Sequence, residues 1–258
     1  FSGLGSTDWN VRNAALLLLT ALIDRSTCNG HKNESAGGAT RAGIRDFLAR
    51  SPRLLPLMLE LLRHVAPDVS VAVSDGKPDV YAVLLLLSRL EPSPSQDGDD
   101  ELCVDPLLPG VLGCGRHPAY RVRVAASRAL VPLVAPEKVL STISSIVQKL
   151  PSAQPLSNHN DAQSMLLGIH SLLEAALLRT IGVDSKAAIA RASFEALEPA
   201  FLLLKSQKFC PPIRAQLLAT LELALRHVAQ GSEVAPISER VLTEMSKVSA
   251  AALDPITA

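Results

Sequence analysis

Apolar residues recur along this chain at intervals of three and four, the period of an amphipathic helix, and nowhere alternate as a strand requires. The pattern predicts helices over residues 9–25, 41–50, about 52–66, 80–90, 107–113, 119–134, 137–150, 161–182, 186–205, 212–229 and 235–252. Ser6 or Thr7 can cap the first of these. Ser51-Pro52 offers a cap followed by proline at the first helical position. Between the helices, residues 27–40 and 68–79 are polar and rich in turn formers. Residues 91–101 (EPSPSQDGDDE) form an acidic, Pro/Ser-rich linker that cannot pack a core. The expected organisation is one helical-repeat segment over 1–258, with repeats in 1–90 and 102–258 flanking that linker.

Three helix starts look alike. Val11-Arg12, Val122-Arg123 and Ile213-Arg214 each set a β-branched residue before an arginine, followed by small or apolar residues at helical spacing. Val122 lies 111 positions after Val11, and Ile213 lies 91 after Val122. Each gap accommodates two repeats of roughly 45 residues if 26–41 and 91–101 are insertions in the first. A helix pair cannot bury its apolar face alone, so stacked pairs close a continuous core and leave a surface for partners. The fold class expected is all-α, a HEAT/armadillo-like helical-repeat solenoid. Periodic placement makes Arg12, Arg123 and Arg214 structural arginines, each expected to pair with a carboxylate or carbonyls on the neighbouring repeat.

Composition agrees. Hydrophobic residues make up 48% of the chain and aromatics only 3%; the apolar share is mostly Leu, Ala and Val, a helix-forming mix. Lys+Arg and Asp+Glu balance at 25 each, which argues against a general nucleic-acid coat but leaves room for a local basic ridge. Cys28, Cys103, Cys114 and Cys210 form no C-x-x-C pair and read as free thiols in a reducing compartment, hence a cytoplasmic protein. No apolar run approaches the ~18 residues of a membrane span. The chain opens on Phe1, as a fragment of a larger protein does.

A search for chemistry returns little. The six histidines make no H-x-x-x-H or H-E-x-x-H pattern, so no metal set is expected. Gly110, Gly113 and Gly115 follow no predicted strand, no phosphate-binding loop closes, and there is no G-x-S-x-G elbow. No catalytic, cofactor or metal residue is assigned, and no small-molecule substrate is expected. Other arginines stand outside the repeat position, among them Arg25, Arg41, Arg45, Arg50, Arg53, Arg116 and Arg121. They are solvated helix ends, or they contact phosphates where several share a surface. Arg25, Arg45, Arg50, Arg116 and Arg121 are the candidates for partner or RNA contact. Trp9, Tyr81 and Tyr120 read either as core or as binding platforms.

Four segments, in order, resemble the thyroid adenoma-associated protein family, which shares a domain with a yeast tRNA-methylation partner. They are Asp8-Trp9-Asn10-Val11-Arg12-Asn13 running into Ala21-Leu22-Ile23-Asp24-Arg25; Arg45-Asp46-Phe47-Leu48-Ala49-Arg50-Ser51-Pro52; Tyr81 through Ser88-Arg89-Leu90; and Tyr120-Arg121-Val122-Arg123 with Ala129-Leu130-Val131-Pro132. The resemblance covers about 1–178. The family's Asn-x-x-His-Gly element is altered here to Asn158-His159-Asn160-Asp161. What the resemblance implies is a large, cytosolic, non-catalytic helical-repeat protein. It would assist a ribose 2′-O-methyltransferase acting on the tRNA anticodon loop, with S-adenosylmethionine held by the enzyme. The partners implied are that methyltransferase and tRNA itself. The alternative is a general protein-protein scaffold, in signalling, transport or ion-pump regulation, with no RNA contact.

Overall fold

The computed structural model describes residues 6, 8–27, 41–63, 78–94, 103–150, 159–205 and 210–228. Eleven α-helices are found among them: α1 (Trp9–Thr27), α2 (Ile44–Arg50), α3 (Leu54–Arg63), α4 (Pro78–Leu87), α5 (Leu107–Cys114), α6 (Tyr120–Leu130), α7 (Val139–Gln148), α8 (His159–Arg179), α9 (Val183–Leu197), α10 (Leu202–Lys205) and α11 (Pro211–Val228). The described residues hold no strand, only an isolated bridge between Gly43 and Glu91. The helix expected over 235–252 lies outside them.

Where the observed ends depart from the periodicity, local chemistry explains the departure. Asp8 rather than Ser6 or Thr7 caps α1: its carboxylate accepts the Asn10 N–H at 2.8 Å, and Ser6 Oγ accepts the Asp8 N–H. Ser51-Pro52 opens a turn, and α3 begins only at Leu54, whose N–H bonds the Ser51 carbonyl. The helix expected over 186–205 breaks at Glu198–Phe201 into a 3-10 turn carrying Pro199, which has no N–H to give. Pro132 shortens α6 in the same way, leaving a 3-10 turn at Val131–Leu133. Pro211 and Pro212 lie in the first turn of α11, where the missing donor costs nothing.

The chain divides into two compact units, Phe1–Glu137 and Lys138–Ala258. In the first, α3 packs on α4 and α5, while α4 and α5 both pack on α6. Leu84, Leu87, Leu107, Cys114 and Ala129 are wholly buried there. In the second, α7 packs on α8 and α9, and both of those pack on α11, enclosing Ile143, Leu166, Ile169, Leu173, Leu197, Ile213 and Leu217. Within each unit the helices pack on near neighbours in the chain, as stacked helical repeats do. Val122 and Ile213 are both core residues, whereas Val11 is exposed on α1.

Backbone bonds tie three helix ends of the first unit together. The Ala42 N–H bonds the Thr27 carbonyl at 2.7 Å, Ile44 N–H bonds Glu91 O at 2.9 Å, and Glu91 N–H bonds Ala42 O at 3.0 Å. Arg89 adds an ion pair to Asp24 at 3.6 Å. The opening residues of the acidic stretch, Glu91 to Ser93, are therefore docked at the start of α2, where Ser93 Oγ accepts the Arg45 N–H. Cys103, Cys114 and Cys210 are free thiols, and burial pushes Cys114 up to about 12, which leaves it an inert core thiol.

Helices α3 and α5 approach so closely that a Cβ on Gly110 would sit 2.7 Å from Leu62 Cβ. Alanine in an exposed helix interior gains about 1 kcal/mol over glycine. Here the sign reverses, because the clash is with an atom no rotamer change can move. Gly110→Ala is expected to lower unfolding free energy by about 1–3 kcal/mol, as overpacking does. Urea unfolding checks this, and a gain in stability contradicts the close packing of α3 on α5.

Candidate partner-binding surface

The turn before α6 is built around Arg123. This side chain is only 7% exposed. Its Nη1 carries two hydrogens and donates one to the His117 carbonyl and one to the Pro118 carbonyl, each at 2.7 Å. A charged donor satisfying two carbonyls is worth more than a neutral pair. Its guanidinium also lies 5.6 Å from the Tyr120 ring centroid. The repeat arginine was expected to reach a neighbouring repeat; these bonds instead hold the turn that leads into its own helix. The reason is geometric, since the chain enters α6 from Pro118 and brings those carbonyls under the first turn. Arg214 is half-buried at the start of α11 and has no carboxylate partner among the described residues. The side chains of Arg12 and Trp9 lie outside the described part.

His117 completes the turn. Its Nδ1 accepts the Ala119 N–H at 3.0 Å, which requires the neutral ring with its proton on Nε2. Burial, then the positive charges of Arg123 and Arg121, hold its pKa below the ordinary 6.5.

Arg121, two residues before the buried Arg123 and so about half a turn away on α6, is exposed. Its guanidinium lies 5.8 Å from the ring centroid of the half-buried Tyr81 on α4. Tyr120, at the first position of α6, is 53% exposed. Arg116 is exposed in the preceding turn. The start of α6 therefore gathers Arg116, Arg121, Tyr81 and Tyr120. The other candidates fall elsewhere. Arg25 is exposed in the last turn of α1 and Arg45 is half-buried in the first turn of α2, both at the backbone clasp that includes Arg89 and Glu91. Arg50 folds back so that its Nε donates to the Asp46 carbonyl at 3.1 Å. Tyr81 and Arg89 mark the two ends of α4, about 12 Å apart along its axis, so the five arginines form two groups rather than one surface. The aromatic partners and the turn-building role of His117 and Pro118 were not legible in the sequence. The signal in the sequence was Tyr120 beside Arg121 at a helix start.

His170 on α8 is also held below its ordinary value, by burial, with Glu174 opposing; its Nδ1 lies 3.3 Å from Thr220 Oγ1 on α11. For both histidines the folded pKa is below 6.5, so the unfolded chain takes up protons first as pH falls. Their contribution is fully present above about pH 6.5 and is lost as pH drops through that value toward the folded pKa. Unfolding free energy is expected to decline as pH falls below about 6.5. His117→Asn, whose side-chain carbonyl can take the same Ala119 N–H, should flatten part of that decline. Denaturation series at several pH values read the slope, and an unchanged slope in the variant contradicts the neutral His117 turn.

The family model described as Trm732, C-terminal TPR repeats, matches residues 12–172, from α1 into α8. A Mus musculus protein named tRNA (32-2′-O)-methyltransferase regulator THADA is 34% identical over 176 residues, covering 67% of this chain and 9% of the relative. The Homo sapiens protein of the same name is 33% identical over 176 residues, with the same coverage. The Gallus gallus protein of that name is 33% identical over 178 residues, covering 68% of this chain and 9% of the relative. The chain thus spans about a tenth of the length of the curated relatives it matches. No solved structure matches it. A helical-repeat architecture matched over most of its length by that model, with such relatives, places the chain in the THADA family, in the region described by the Trm732 C-terminal repeats.

Proposed function

We propose that this segment belongs to a non-catalytic regulatory subunit that assists a tRNA ribose 2′-O-methyltransferase. The observation that carries the reading is the match over residues 12–172 to a family whose relatives are named as regulators of a tRNA (32-2′-O)-methyltransferase. The make-up of the described residues supports it. The arginines near the start of α6 are arranged to bind rather than to transfer protons, and the one strongly shifted thiol is buried in the core. In this reading the enzyme holds S-adenosylmethionine and supplies the chemistry, while stacked helix pairs of HEAT or armadillo type position tRNA, enzyme or both. The setting is cytoplasmic, where tRNA is modified and thiols stay reduced.

The division of labour has a direct test. Purified full-length protein, given tRNA and labelled S-adenosylmethionine, is expected to transfer no methyl group alone. With a tRNA ribose methyltransferase added, it should raise transfer to the ribose of nucleotide 32. Transfer by the protein alone overturns the regulatory reading. Absence of stimulation leaves the general scaffold in its place.

A further inference from the structure

The charge balance of the whole chain conceals a local imbalance. Residues 106–136 contain four arginines, Arg116, Arg121, Arg123 and Arg128, and no carboxylate. That stretch forms α5, the His117 turn and α6. Arg123 is consumed internally by the turn carbonyls. Arg121 is not: it has no carboxylate partner among the described residues, and its one described contact is the Tyr81 ring. The exposed Arg121 guanidinium lies 5.8 Å from the Tyr81 ring centroid, and a planar cation can stack on a base as well as on a ring. Tyr120, half exposed at the start of the same helix, adds a second ring steadied by Arg123 on one side.

An exposed aromatic ring, Tyr120, beside an exposed arginine, Arg121, with no described carboxylate partner is a combination that binds unpaired nucleotides. Each base has a flat face to stack, and the backbone carries one negative charge per phosphate. A duplex offers phosphates but hides its base faces, so this arrangement discriminates against it. An acidic protein segment would be served by the arginines alone and gives the rings no role.

We propose that the Tyr81–Arg121 pair and the adjacent Tyr120 ring form a stacking ledge for unpaired bases of an RNA strand, with the exposed Arg121 and Arg128 meeting its phosphates. The proposal rests on the tRNA-regulator reading above and deepens it, since an anticodon loop presents unpaired bases.

The experiment is fluorescence anisotropy with the full-length protein, titrated into a labelled single-stranded oligoribonucleotide and, separately, its duplex. Arg121→Glu is expected to weaken single-strand binding about tenfold or more, in line with the loss of one stacked base and one phosphate contact. Arg121→Lys keeps the charge and loses the plane, and should recover the salt dependence but not the preference for single strands. Tyr120→Leu should reduce that preference as well. Arg226→Glu, an exposed arginine on α11 paired with Glu222, is the charge control and should change little. Equal losses from Arg121→Glu and Arg226→Glu overturn the ledge, as does full rescue by Arg121→Lys. If the wild type fails to bind single strands while Arg121→Glu still lowers tRNA methylation, the surface docks the enzyme and the ledge is overturned, but the regulatory reading stands. If Arg121→Glu abolishes single-strand binding and methylation is unchanged, the ledge stands and that reading fails for this segment.

Discussion

A leucine-rich helix with one apolar face gains little by forming alone in water; it becomes stable when that face is covered. This constraint governs the whole chain. Side chains such as Leu84, Leu107, Leu166 and Leu217 are fully buried because neighbouring helices of the same unit cover them. Small residues at the contacts allow the close approach, most tightly where Gly110 on α5 faces Leu62 on α3. The same stacking brings helix starts together on the surface. Tyr81 and Arg121 belong to different helices and meet because α4 packs on α6.

The helical character of the fold was legible because Leu at spacings of three and four leaves no other solution. Of the three repeat positions read from the sequence, Val122 and Ile213 lie in the core near helix starts, whereas Val11 is exposed. Helix ends were less legible, because proline effects act on single residues that periodicity averages over. Pro199 splits a predicted helix and Pro132 trims another. The role of Arg123 was half legible. Its structural character followed from its position, but its partners depend on the path of the Gly115–Ala119 turn, which no spacing rule encodes. The grouping of Arg116 and Arg121 apart from Arg25, Arg45 and Arg50 is likewise tertiary.

Two adjacent arginines in one helical turn thus divide their work by direction. Arg123 faces inward and fixes the entry to α6; Arg121 faces outward over Tyr81 and is available to a partner. A neutral His117 fits between them because a proton there would add a third positive charge and remove the acceptor for Ala119. In a family of large regulators of tRNA methylation, such a division lets a binding surface change without loss of the scaffold that carries it.

The most direct test of this account compares Arg121→Glu with Arg123→Glu in the full-length protein, reading thermal stability and 2′-O-methylation of tRNA nucleotide 32 for both. The account predicts that Arg121→Glu lowers methylation in a protein that unfolds like the wild type. It predicts that Arg123→Glu lowers stability by at least about 2 kcal/mol, since a buried charge would be left against two carbonyls. Unchanged methylation in Arg121→Glu, or unchanged stability in Arg123→Glu, would contradict it.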